Sequence, residues 1–196
     1  ESVGDRGHVS KMGDLRDELR RILQGFLHGF LYGAKIRFPH ALLMVSLFRN
    51  DLPWTGKMDK VLSLTFNHAR NLGLFVFTYK SLVASLRKTT NLQEGITTAL
   101  AGGIGGSLVF GDDTSINTQI NLYVFSRVAK ALGHLLLERQ WIPKFKGWYR
   151  LWAGLSWALV MVLFSKKRHT LQNSLTSSMI YLYEDSDIPG SMFLNL

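Results

Sequence analysis

The chain has 196 residues, 46% of them hydrophobic, a mean hydropathy of +0.07 and a formal net charge of +9. That size suits one domain or one compact bundle, and the average composition alone does not mark a membrane protein. The absence of cysteine excludes disulfides, thiolate metal sites and cysteine nucleophiles.

Residues 1–13 are polar and contain no apolar signal-peptide core, and Glu1 in place of an initiator methionine points to a missing N-terminal piece. Asp14 is placed to cap a helix in which Leu15, Leu19, Ile22, Leu23 and Phe26 recur at helical spacing, with Arg16, Asp17, Glu18, Arg20 and Arg21 on the other side. This amphipathic N-terminal helix runs into GFLHGFLYG, where Gly25, Gly29 and Gly33 share one face. Glycine costs about 1 kcal/mol relative to alanine in a helix, so such a face is useful only where two backbones must approach closely, as between membrane helices. Pro39 is expected to break this helix, leaving Ala41–Phe48 as a second apolar piece and 51–60 as a loop.

A further helix is expected over Val61–Leu86; its aromatic middle, residues 74–79, has strand propensity, but helix fits its neighbours. Residues 95–111 carry no charge and neither do 151–165, giving helices of about 25 and 22 Å that need their flanks to cross a hydrocarbon core of roughly 30 Å. Between them lie a helix over about 116–138, decorated by Asn117, Gln119 and Asn121, and a loop at 139–147. The last helix, 148–166, opens on Trp148, Tyr149 and Trp152, an interfacial aromatic pattern. Residues 169–196 read as a polar, then acidic, peripheral tail ending in MFLNL, which is not a Ser-Lys-Leu peroxisomal address. The expected fold is therefore all-α and integral to a membrane: a domain over 14–168 with about four to five tilted transmembrane helices packed through glycine.

Two glycine rows carry the strongest signal. Besides Gly25, Gly29 and Gly33, the residues Gly95, Ala99, Gly103, Ser107 and Gly111 recur every four positions, and Gly102 with Gly106 adds a parallel row. GGIGGS lacks the lysine of a phosphate-binding loop, and Leu108 stands where a dinucleotide fingerprint needs its third glycine. From Ser115 to Arg168 there are nine Lys or Arg residues and one acid, Glu138. These cations stand at the ends of apolar runs, which points to lipid headgroups and away from nucleic acid. Lys35, Arg37, Arg70, Lys166, Lys167 and Arg168 are accordingly candidates for headgroup contact or for lining a polar groove. The histidines show no metal spacing, no serine sits in a nucleophile elbow, and no carboxylate pair shares an apolar setting. No catalytic, metal or cofactor-binding residue is expected, only bound phospholipid.

The glycine-spaced helix followed by Gly33-Ala34-Lys35-Ile36-Arg37-Phe38-Pro39-His40-Ala41-Leu42, together with FVFTYKS at 75–81, Leu108–Gly111, Ile116–Asn121 and SSMIYLYEDSD near the end, resembles the Tim family of mitochondrial import translocases, particularly its peroxisomal branch. The likeness covers about residues 24–187. It implies a curved sheet of tilted membrane helices whose concave face handles presequence proteins in the translocases, while other relatives serve as accessory subunits of respiratory complexes. This sequence departs from the translocases in lacking cysteine and in having few acids in its apolar helices, where a groove for basic presequences is expected to present them. The expected role is therefore a non-enzymatic structural accessory subunit that contacts membrane lipids and partner subunits through glycine faces. The alternative is a translocation module whose groove uses Lys35, Arg37, Arg70 and the Asn/Gln residues of 117–121. By overall likeness the membrane is peroxisomal, with the mitochondrial inner membrane as the other option.

Overall fold

A computed structural model describes residues 3–49 and 51–188. Among them the regular structure is entirely helical: α1 (Val3–Phe48), α2 (Trp54–Thr89), α3 (Glu94–Phe110), α4 (Ser115–Glu138), α5 (Trp148–Lys166) and α6 (Asn173–Tyr183), with single 3-10 turns at Arg168–Thr170 and Asp185–Asp187. The chain forms two compact units, one ending at Ala129 and the other starting at Lys130.

Four expectations change. Pro39 lies inside α1, which continues through it to Phe48. Proline removes one backbone hydrogen bond, but Pro39 and Lys35, whose carbonyl loses that partner, both lie on the exposed side, where the loss is cheapest. Asp14 is interior to the same helix, which begins at Val3, and so is not its N-cap. The expected loop at 51–60 shrinks to a short turn: Pro53, extended at φ −63° and ψ 160°, is the N-cap of α2, and Lys57 N–H closes its first turn on the Pro53 carbonyl at 2.9 Å. The expected tail contains α6, which buries Met179. Residues 1–2 and 189–196, including the MFLNL end, lie outside the described residues.

In the first unit α1 and α2 run antiparallel along a seam with a four-residue period. On α1 its positions are Gly25, Gly29, Gly33, Arg37, Ala41 and Val45; on α2 they include Gly73, Ala69 and Val61. Ala41, Val45 and Val61 form a buried apolar cluster flanked by Leu42 and Leu64. Phe30 meets Phe66 edge-on at 5.9 Å. At the open end of the pair, Lys88 is ion-paired with Glu18. Arg87 pairs with Glu94 in the first turn of α3 and so ties the turn between α2 and α3. α3 packs back on α2 through Thr97, Ala101 and Gly105, while Phe110 tilts against Phe75 at 5.5 Å.

In the second unit Gln140, just past the end of α4, is in the left-handed region at φ 57°, and Trp141 N–H reaches back to the Leu136 carbonyl at 3.1 Å. The side chain of α5's first residue, Trp148, donates to the Pro143 carbonyl at 2.6 Å. Arg168 lies over the Phe164 ring at 4.3 Å and grips Glu184 through both terminal guanidinium nitrogens, fastening the end of α6 to the end of α5. No helix among the described residues is long and apolar enough to cross a membrane.

Candidate functional site

The two expected glycine rows have different surroundings. A Cβ on Gly33 would lie 2.8 Å from the Ala69 Cα, and one on Gly29 would lie 2.9 Å from the Leu72 carbonyl oxygen and 3.1 Å from the Gly73 Cα. On Gly25 it would meet Lys80 Cδ and Val76 Cγ1 at 2.9 Å. These three glycines therefore serve the contact between α1 and α2 of this chain. On α3 the buried small residues are Thr97, Ala101 and Gly105, a row that the glycine spacing did not reveal because two of its members are not glycine. Gly95, Gly102, Gly103 and Gly106 have nothing within 4 Å of a Cβ position, and Ala99 is exposed. Gly111 is the C-cap of α3, and a Cβ there would meet the Ser107 carbonyl of its own last turn.

Polar side chains gather where α4 begins. Asn117, almost fully buried, accepts from Asn71 Nδ2 at 2.9 Å and donates to the Asp112 carbonyl at 3.1 Å. Asn121 donates to the Phe110 carbonyl at 3.1 Å, satisfying a group that the end of α3 leaves without a helical partner. Gln119 accepts from Arg37 Nη1 at 3.1 Å. The amides expected to line a groove thus fasten the turn between α3 and α4 to α1 and α2.

The basic candidates do not converge. Arg37 sits in the helix seam with its Nε buried and without a hydrogen-bond partner; its other neighbours are His40 Nδ1, 3.4 Å from Nη1, and the half-buried His68. Arg70 only reaches the adjacent Asn71 Oδ1, at 3.3–3.4 Å. Lys35, Lys166 and Lys167 are exposed. Arg168 is committed to Glu184, so the 166–168 cluster presents two lysines and not three cations to an external phosphate. Reading the sequence gave no reason to pair Arg168 with an acid 16 residues on, across the turn between α5 and α6.

The model of the Tim17/Tim22/Tim23/Pmp24 family matches residues 19–126, the stretch that contains α1 from its amphipathic turns onward, α2, α3 and the polar start of α4. The chain belongs to the Tim17/Tim22/Tim23/Pmp24 family. Among curated proteins, it is 46% identical over 169 residues to human (Homo sapiens) peroxisomal membrane protein 4, covering 85% of this chain and 79% of that protein. It is 44% identical over 171 residues to the Bos taurus protein of the same name, with the same shares covered. No solved structure matches. By this resemblance the family member described here is a protein of an organelle membrane, the peroxisomal one, and neither the family nor these relatives carries the name of an enzyme.

Proposed function

We propose that this chain is a non-enzymatic structural component of the peroxisomal membrane that docks a partner subunit on the open face of α3. The observation that carries the reading is the set of four glycines, Gly95, Gly102, Gly103 and Gly106, at which an added Cβ would meet no described residue within 4 Å. Each weakens the helix by about 1 kcal/mol relative to alanine, and the chain has room for a methyl group at every one. Close approach by a helix from outside gives these glycines a use. Beside them Ile96, Leu100, Ile104 and Leu108 form an exposed apolar row at four-residue spacing, with Leu108 at 72% exposure. A glycine groove next to a branched apolar ridge is what interdigitating helices need.

Both α3 and α5 suit an apolar environment in this reading. On α5, whose residues 151–165 carry no charge, the large side chains of Leu151, Trp152, Leu155, Leu159 and Val162 are exposed on one side and those of Trp157 and Met161 on the other. A helix that is apolar all round fits hydrocarbon. α3 and α5, of 17 and 19 residues, would be about 25 and 28 Å long, so they lie in the bilayer with help from their flanks. The alternative of a polar translocation groove keeps Lys35 and Arg70 exposed, but its amides Asn117, Gln119 and Asn121 are bonded within the chain, which favours the structural reading.

The test is co-purification from source membranes in mild detergent, comparing wild type with Gly103→Leu and Gly106→Leu. Loss of the same partner bands from both variants, with unchanged helicity, is the expected result. Retention of every partner by both would remove the reading.

A further inference from the structure

A groove of about 570 Å³ runs along the seam between α1 and α2, lined by Arg21, Gln24, His28 and Tyr32, with Gly25 and Gly29 as its floor and Val76 and Lys80 on the facing wall. Nothing in the family description or the relatives' names assigns it. Its chemistry is one-sided: no carboxylate lines it, while Arg21 and Lys80 bring two positive charges to one end. The Lys80 ammonium donates to the Arg21 main-chain carbonyl at 3.0 Å, which holds the two cations at the same end and leaves the ammonium further N–H groups. The nearby Glu18 is spent on Lys88. The side chains of Arg21, Gln24, His28 and Tyr32 make no hydrogen bond or ion pair with any described residue.

The other end of the groove has a different character. There the wall is Val76 and the Tyr32 ring, and around α1 from His28 and Tyr32 stand Leu27 and Leu31, both exposed. The glycine floor exists because α2 needs close approach on the other side of those residues, so the recess follows from the helix contact and is present without any ligand. Charge at one end and exposed aliphatic surface at the other describe an amphiphile.

We infer that this groove binds an anionic phospholipid, with its phosphate between Arg21 and Lys80 and an acyl chain lying past Val76 and Tyr32 toward Leu27 and Leu31. Uncompensated cations attract the phosphate through charge-assisted hydrogen bonds, and each basic residue near an anionic lipid contributes about 1 kcal/mol to attraction. The lipid site is separate from the α3 face, and either can fail without the other.

The purified full chain in neutral detergent is incubated with dioleoyl phosphatidic acid, with dioleoyl phosphatidylcholine or with inorganic phosphate, and retained ligand is read by native mass spectrometry alongside the melting temperature. Phosphatidic acid is expected to be retained in preference to phosphatidylcholine, and Arg21→Gln combined with Lys80→Met to weaken that retention about tenfold or more. Lys146→Gln, which removes a cation from the other unit, is expected to leave it unchanged. Should the double variant not fold, Arg21→Glu decides, since the Arg21 side chain bonds no described residue. Equal retention of both lipids, undiminished retention in the Arg21 variants, or displacement of phosphatidic acid by inorganic phosphate at matched concentration would each overturn the inference, the last by showing a site for a soluble anion.

Discussion

Adding one methyl group at Gly33 and one at Gly103 separates the two kinds of glycine in this chain. At Gly33 the new carbon would lie 2.8 Å from the Ala69 Cα, 3.4 Å from its backbone nitrogen and 3.1 Å from Leu72 Cδ1. Backbone cannot rotate out of the way, so the helices must part locally, at an overpacking cost of about 1–3 kcal/mol. The gain in helix propensity is about 1 kcal/mol. Gly33→Ala should therefore be neutral to about 2 kcal/mol less stable than wild type. At Gly103 nothing lies within 4 Å, so the same substitution in the isolated chain keeps the gain of about 1 kcal/mol without the cost. Because the propensity gain is common to both, the gap between the variants, about 1–3 kcal/mol, measures the helix contact alone. Thermal unfolding of each variant in the same detergent, followed by circular dichroism, reads it at roughly 2–4 °C per kcal/mol for a chain of this size. Equal melting temperatures for Gly33→Ala and Gly103→Ala would refute the assignment of Gly33 to a backbone contact.

Other outcomes follow from single contacts. Asn117→Ala strands the Asn71 amide and the Asp112 carbonyl, and should lower stability by about 1–3 kcal/mol, whereas the exposed Asn91→Ala should shift melting far less. In the turn between α1 and α2, Arg49 donates to both Asp51 carboxylate oxygens at 2.9 Å and holds that carboxyl below its usual range. The pairing is fully present above the ordinary Asp value of about 3.9 and is lost as pH falls through the lower folded value. In an NMR titration, Arg49→Gln should move the Asp51 midpoint upward; an unmoved midpoint would contradict the pairing. Arg37→Met removes a cation whose Nε is buried without a partner, so the lost bond to Gln119 should be offset and stability should stay within about 1 kcal/mol, as checked by denaturant or thermal melts. Arg168→Gln should release the end of α6, seen as faster amide exchange across 173–183, with a stability change of about 1 kcal/mol or less for so exposed a pair.

Helix content was readable in the sequence wherever apolar residues kept a helical period, as in 14–33 and 95–110, and the aromatic stretch 74–79 is helical despite its strand propensity. Punctuation was less readable. Pro39 and Pro53 carry the same local signal, yet one lies within a helix held by α2 above and below it, and the other starts a helix. Tertiary packing decides between those outcomes, and local spacing does not contain it. The same holds for the contacts. Glycine spacing found the seam of α1, but the row Thr97, Ala101 and Gly105 is defined by what faces α2 and not by residue type. The basic residues showed where charge lay along the chain; that Arg21 and Lys80 share a recess required knowing that the two helices run antiparallel.

Arg37 stands in the same four-residue row as the seam glycines, and that position has a consequence for how α1 and α2 find each other. A glycine and alanine zipper is smooth and, on its own, would pair nearly as well after sliding by one turn, about 5.4 Å. With Arg37 in the row, a slide in one direction brings a guanidinium onto Ala69, where even a methyl group on Gly33 does not fit. A slide in the other direction drives its charge into the apolar cluster of Ala41, Val45 and Val61. Only the observed alignment leaves it beside His68 and within reach of Gln119. One out-of-place cation thus acts as a detent, trading a little stability for a single alignment of two otherwise slippery helices.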